Sequence, residues 1–96
     1  YILSIHSVML FEWDEVKRRA NVAKHGIDFP EAVEVLHGSP WLAEDSRRDY
    51  GEKRCLAVGP CRGHVLVVAF TLRGGVFRVI SARRANARER RLYGFE

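Results

Sequence analysis

Three groups of residues in this 96-residue chain have types and spacings suited to chemistry on an anionic substrate. In the first, Lys24-His25-Gly26, a cation and a proton-transfer group stand side by side where a helix stops. The negative end of the helix dipole favours charged imidazole, which suits His25 as a general acid or an anchor more than as a base. The plainer alternative is that Lys24 and His25 only complement the dipole and Gly26 only ends the helix. In the second group, Glu52-Lys53-Arg54, strand alternation puts Glu52, Arg54, Leu56 and Val58 on one face. There Glu52 and Arg54 either pair with each other, for at most about 1 kcal/mol, or hold a base beside a phosphate clamp. The third group is the arginine series at 78, 83, 84, 88, 90 and 91. Arg78 falls in a half-buried strand, Arg83 continues the face of Phe77, Val79 and Ser81, and Arg88, Arg90 and Arg91 decorate a final helix. Such clustering suits phosphate contacts with a nucleic acid, and a solvated helix face accounts equally for Arg90 and Arg91.

Other chemistries lack their residues. His6, His25, His37 and His64 have no metal-ligand spacing, and no metal is expected. Neither GxGxxG nor a P-loop occurs, so no nucleotide cofactor is expected. Cys55 and Cys61 have no evident base in the pattern, and Cys55 reads as a small apolar residue. Ser81 lacks a nucleophile elbow.

The elements that must position these groups follow from caps and periodicity. Met9 to Trp13 is a short extended piece. Asp14 caps a helix over about Glu15–His25, with Trp13, Val16, Ala20 and Ala23 on an inward apolar arc and Lys17, Asn21, Lys24 and His25 on the adjoining polar one. Asp28 and Glu31 form a capping-box pair for a second helix that packs Ala32, Val33, Val35 and Leu36 inward and ends at Gly38 and Pro40. Strands are then expected at 41–44, 53–58, 65–71 and 76–82. A turn at Gly59, Pro60 and Gly63 and a hairpin at Gly74-Gly75 join the last three. Asn86 and Glu89 cap a final helix over about 87–93. The order reads as α+β: two N-terminal helices, an antiparallel meander and a short C-terminal helix.

Length and composition set the frame. One domain is expected over residues 9–96, with residues 1–8 upstream of the only methionine as an extension or an extra edge strand from Ile2 to Ile5. No apolar run approaches the roughly 18–20 residues of a membrane span, and two cysteines without a framework favour a reducing cytoplasm. Hydrophobic residues make up 47% of the chain, which argues against disorder. Charge is uneven: residues 1–52 hold 6 bases and 10 acids, and residues 53–96 hold 10 bases and 2 acids. Thirteen of the 16 bases are Arg, whose planar fork suits bidentate phosphate binding. The composition therefore points to a nucleic acid or an acidic protein as partner.

Several runs together carry a resemblance. They are Phe11-Glu12-Trp13-Asp14, Lys17, Asn21, Lys24-His25-Gly26-Ile27, Phe29 and Glu31-Ala32, then Gly51-Glu52, Arg54, Gly59, Gly63, Val67-Val68 and Thr71. The closing run is Arg78 to Arg83 with Ala85, Arg88-Glu89-Arg90 and Tyr93. From Leu10 to Glu96 the sequence resembles the BrnT toxins. The resemblance implies a RelE-like fold and a metal-independent endoribonuclease of a type II toxin–antitoxin system, which arrests translation and growth. It also implies a BrnA antitoxin of ribbon-helix-helix type, through which alone the toxin touches operator DNA. Carried over by motif position, Lys24, His25, Glu52, Arg54 and Arg83 are the expected catalytic residues. Lys17, Arg78, Arg84 and Arg88 are expected on the RNA, although Arg84 stands where a Lys is common. No role carries over to Asp45 or Asp49. From residue chemistry, Glu52 is the expected base, His25 the acid or second base, and Lys24, Arg54 and Arg83 the phosphate clamps. The competing reading is a non-catalytic RNA- or protein-binding module acting as a co-repressor with the antitoxin.

Overall fold

A computed structural model describes residues 9–47 and 49–95. The expectations for residues 1–8 lie outside these. In chain order the elements are β1 (Leu10–Glu12), α1 (Glu15–His25), α2 (Phe29–His37), β2 (Trp41–Asp45), β3 (Arg54–Cys61), β4 (His64–Arg73), β5 (Val76–Arg84) and α3 (Ala87–Leu92). The sheet order is β1-β5-β4-β3-β2, with β2 to β5 an antiparallel meander and β1 parallel to β5 at one edge. This is the expected α+β architecture. Among the described residues no helix is long and apolar enough to cross a membrane.

Both faces of β4 are buried, as its run of apolar residues requires. On one face Leu66, Val68 and Phe70 join Ala57, Val79 and Ala82 under Phe29, Ala32, Val35 and Leu36 of α2. On the other, Val67 and Val58 pack with Ala85, Leu56, Tyr93 and Phe95. Val33 of α2 is only half-buried, while Val35 is buried. The capping box at Asp28 and Glu31 is present, as is that at Asn86 and Glu89.

Three local expectations are corrected. First, the inward arc of α1 is reversed: Val16 is 66% exposed and Ala20 and Ala23 are exposed, whereas Asn21 is 7% exposed. The reason lies at the sheet edge. β1 covers β5 only as far as Arg78, so the backbone of Ala82 would face α1 unpaired. The Asn21 amide takes that place: its Nδ2 donates to Ala82 O and Ile27 O at 2.8 Å, and its Oδ1 accepts from Ala82 N at 3.1 Å. Second, Gly59 and Pro60 lie inside β3, and the turn is Arg62-Gly63. Both turn residues have positive φ, 51° and 84°, as a tight two-residue hairpin turn demands. Gly59 is needed for space, because a Cβ there would stand 3.2 Å from Val35 Cγ1 and 3.3 Å from Pro40 Cβ. Third, Ile80 has no partner on β4: Phe70 pairs with Val79 and Ala69 with Ser81. This bulge shifts the alternation, so Arg83 shares a face with Arg78 and Ser81, away from Phe77 and Val79.

Asn21→Ala leaves the Ala82 edge and Ile27 O without partners and is expected to lower stability by about 2–3 kcal/mol. Val16→Lys, at an exposed position, is expected to stay within roughly 0.5 kcal/mol of the original chain. Urea midpoints of the two variants check both.

Candidate functional site

The face of the sheet turned away from α2 collects the charged side chains. Cross-strand register puts Arg54 opposite Asp45, Arg78 between Glu12 and Thr71, Ser81 opposite Ala69, and Arg83 opposite Val67. Paired residues share a face, so Arg54, Arg78, Ser81 and Arg83 all stand on this side.

Arg54 is the central cation. Its guanidinium lies 3.8 Å from the centre of the Tyr50 ring, and its Nε is buried without a hydrogen-bond partner among the described residues. A buried donor held in that state has capacity for an incoming acceptor. Tyr50 is itself tied down: its hydroxyl donates to Asp45 at 3.0 Å. The Asp45 side chain is only 1% exposed and also accepts two 2.8 Å bonds from the Arg47 guanidinium. Those bonds hold the Asp45 carboxyl far below the usual carboxylate range, against the opposing effect of burial. Nothing in the sequence singles out Asp45, Arg47 or Tyr50. A buried acid two residues before an arginine looks like part of a polar loop until the strand register shows Arg54 opposite it.

Glu52 lies just before β3 rather than in it, and its partner is Arg73, with bonds of 3.0 and 3.1 Å. The expected pairing of Glu52 with Arg54 is thus replaced, because Arg73 at the end of β4 stands beside the segment that leads into β3. The Arg73 hydrogen bonds pull the Glu52 carboxyl below its ordinary range, and the charges of Arg73, Arg54 and Arg78 add to the effect. Arg54 and Arg78 stand on the same face of the sheet, and Glu52 leads into the strand that carries Arg54. Arg78 contacts Glu12 at 3.2 Å.

The other expected residues divide between neighbouring positions. The αL conformation of Gly26 ends α1 and leaves Lys24 and His25 in its last turn. Together with Lys17 they line a cavity of about 210 Å³ whose far wall is Ile80 and Ser81. Ser81 belongs both to this cavity and to the charged face of β5, three residues beyond Arg78. Arg83 donates two 2.8 Å bonds to Glu89, which ties β5 to α3. Arg88 is exposed on α3, and Arg84 falls on the opposite face from Arg83, across from Leu66. Among the described residues no three His, Cys, Asp or Glu side chains converge as a metal site requires. Cys55 and Cys61 are free thiols, and burial pushes the Cys61 thiol up, away from reactivity.

The Arg83 bonds to Glu89 hold its carboxyl at about 2, against an ordinary 4.5. The folded-state value is depressed, so this contribution to stability is complete above about 4.5 and fades as pH falls toward 2. Glu89→Gln is expected to cost about 1 kcal/mol at neutral pH, with the difference from the original chain closing in acid. Urea melts across that range measure it.

The family model described as "Ribonuclease toxin, BrnT, of type II toxin-antitoxin system" matches residues 13–89. A similar solved structure is the crystal structure of the Brucella abortus ribonuclease toxin, BrnT. It is 34% identical, covering 82% of this chain and 99% of that one, with a TM-score of 0.66. No curated protein matches. The family match spans most of the chain, including the end of α1, the Glu52-Arg54 segment and all of β5, and on that extent the chain belongs to the BrnT ribonuclease toxins of type II toxin–antitoxin systems.

Proposed function

We propose that this chain cuts RNA through attack by the strand's own 2′-OH, with acid, base and cations all supplied by the protein. The observation that carries this reading is the pair of guanidiniums on one face of the sheet, Arg54 with an open donor and Arg78 two strands across, beside a carboxylate at Glu52 that Arg73 and these charges keep ionised. Arg54 and Arg78 hold the scissile phosphate and stabilise the extra negative charge of the phosphorane. Glu52 accepts the 2′-OH proton as the O2′–P bond forms. The P–O5′ bond breaks, and the leaving 5′ oxygen takes a proton from His25 in the last turn of α1. The products are a 2′,3′-cyclic phosphate and a 5′-hydroxyl. Lys24 and Lys17 guide the strand past Ser81 toward His25. Arg83, engaged by Glu89, steadies α3 and the exposed Arg88 beside the path rather than gripping the phosphate itself.

In the cell this activity arrests translation and growth in the cytoplasm. An antitoxin of the BrnA type, a ribbon-helix-helix DNA-binding protein, neutralises it and carries the pair to operator DNA. The competing reading, a non-catalytic RNA-binding co-repressor, draws on the Glu52–Arg73 ion pair, which must open before Glu52 can act as a base.

Induction of the chain alone in a bacterium, followed by growth and RNA integrity, separates the two. Arg54→Ala is expected to slow cleavage about 10²–10³-fold, and Glu52→Gln or His25→Ala about 10²–10⁴-fold, with the folded state retained. Toxicity kept in both Arg54→Ala and His25→Ala removes these residues from the site. RNA binding without cleavage, indifferent to Glu52 and His25, supports the co-repressor. A second expectation concerns pH. Arg73 lowers the Glu52 carboxyl, and a base must be deprotonated to act, so Arg73→Ala is expected to move the acid limb of the pH–rate profile to higher pH.

A further inference from the structure

Where the sheet ends opposite the Gly74-Gly75 hairpin, the β3–β4 turn, the end of β5 and the start of the C-terminal segment enclose a cavity of about 310 Å³. Its lining is Gly63, His64, Val65, Arg84, Ala85 and Arg90. The Ala85 N–H donates to Val65 O at 2.8 Å and joins β5 to β4 at its floor. The Arg62-Gly63 turn, with both φ positive, brings His64 to the rim, and Arg90 is steadied by a 3.2 Å bond from its Nη1 to Ala85 O. No carboxylate lines the space. Glu89, next to Arg90 in the chain, is engaged by Arg83, and Glu34 is engaged by Arg62, the neighbour of Gly63, at 2.7 Å. Two arginines and a histidine therefore line one small cavity that no carboxylate shares, among the described residues.

We propose that this cavity is a second phosphate subsite, which holds a backbone phosphodiester of the RNA strand at a distance from the bond that is cut. A phosphodiester fits because a guanidinium fork presents parallel donors to two of its oxygens and His64 adds a third donor from the rim. Arg78, in the cutting group, and Arg84 are six residues apart on β5, about 20 Å at roughly 3.3 Å per residue, and only a strand of several nucleotides reaches both. The inference rests on the ribonuclease reading for the identity of the ligand, and it extends that reading to substrate length: an extended single strand is held at two places, and short fragments at one.

The test measures binding rather than cutting, so the two readings fail separately. A 2′-O-methyl RNA, which lacks the nucleophile, is titrated against the original chain and against His64→Gln/Arg84→Gln at several salt concentrations. An oligomer long enough to cross the sheet is expected to bind the double variant about three- to tenfold more weakly, with a log–log salt slope smaller by about 0.7 for each phosphate that is no longer neutralised. A trinucleotide is expected to bind both proteins alike. Equal affinity and slope for the long oligomer overturn the subsite. So does an equal loss on the trinucleotide, a loss confined to 5′-phosphorylated oligomers, or a variant that weakens only for the antitoxin. RNA that binds with the expected difference but is never cut leaves the subsite standing and overturns the nuclease.

Discussion

The structure depends on one polar contact inside an apolar seam. β1 is three residues long and leaves the outer edge of β5 uncovered beyond Arg78. An exposed strand edge beside a packed helix leaves backbone groups that neither water nor a strand can satisfy. Asn21 meets this need with both ends of its amide, and its third bond reaches Ile27 in the link between the helices. One side chain thereby sets how α1 lies along β5 and where α2 begins. The position of Lys24 and His25 over Ser81 follows from that seat, because they lie in the next turn of the same helix. A hydrophobic residue at position 21 can fill the space but cannot replace the missing strand.

This contact also explains what the sequence conveys and what it hides. Caps and stops are legible because they are local: Asp14, Gly26, Asp28 with Glu31, and Asn86 with Glu89 all act as their neighbours predict. The meander is legible from alternating runs and glycine turns. The inward face of α1 is not, since a hydrophobic periodicity argument assumes an apolar surface opposite, and the surface opposite is a strand edge that only tertiary structure creates. Arg83 falls on the face opposite to the expected one for a related reason: a bulge at Ile80 interrupts a period that sequence alone shows as unbroken. In the candidate site, residue type and resemblance suffice to nominate Glu52, Arg54 and Arg78. Asp45, Tyr50 and Arg73 emerge only from register, as each acts on a residue distant in the chain or hidden in a polar loop.

The imbalance of charge along the chain takes on a different meaning once the chain is folded. Acids of the first half do not form a separate patch. Glu12, Glu34, Asp45 and Glu52 each hold an arginine, three of them in the basic second half: Arg78, Arg62 and Arg73. Such pairs contribute little to stability when exposed, but they fix the direction of long side chains. Among the described residues, the cations left without a carboxylate include Arg54 above Tyr50, Lys17 and Lys24 at one cavity, and Arg84 and Arg90 at another. The acids thus act less as a counterweight to the basic half than as struts that decide which cations are left for a ligand.

The unpaired residue in β5 makes Ile80 a place where that strand can shed a residue without changing face. Loss of the single codon for Ile80 would give a smooth ladder, because Val79 and Ser81 already stand opposite consecutive residues of β4. Phe77 and Val79 would stay turned to the oily interior, and Arg83 after the lesion would stay on the side of Arg78. What such a deletion removes is the local kink and the piece of wall that Ile80 lends to the hollow beside Lys24 and His25.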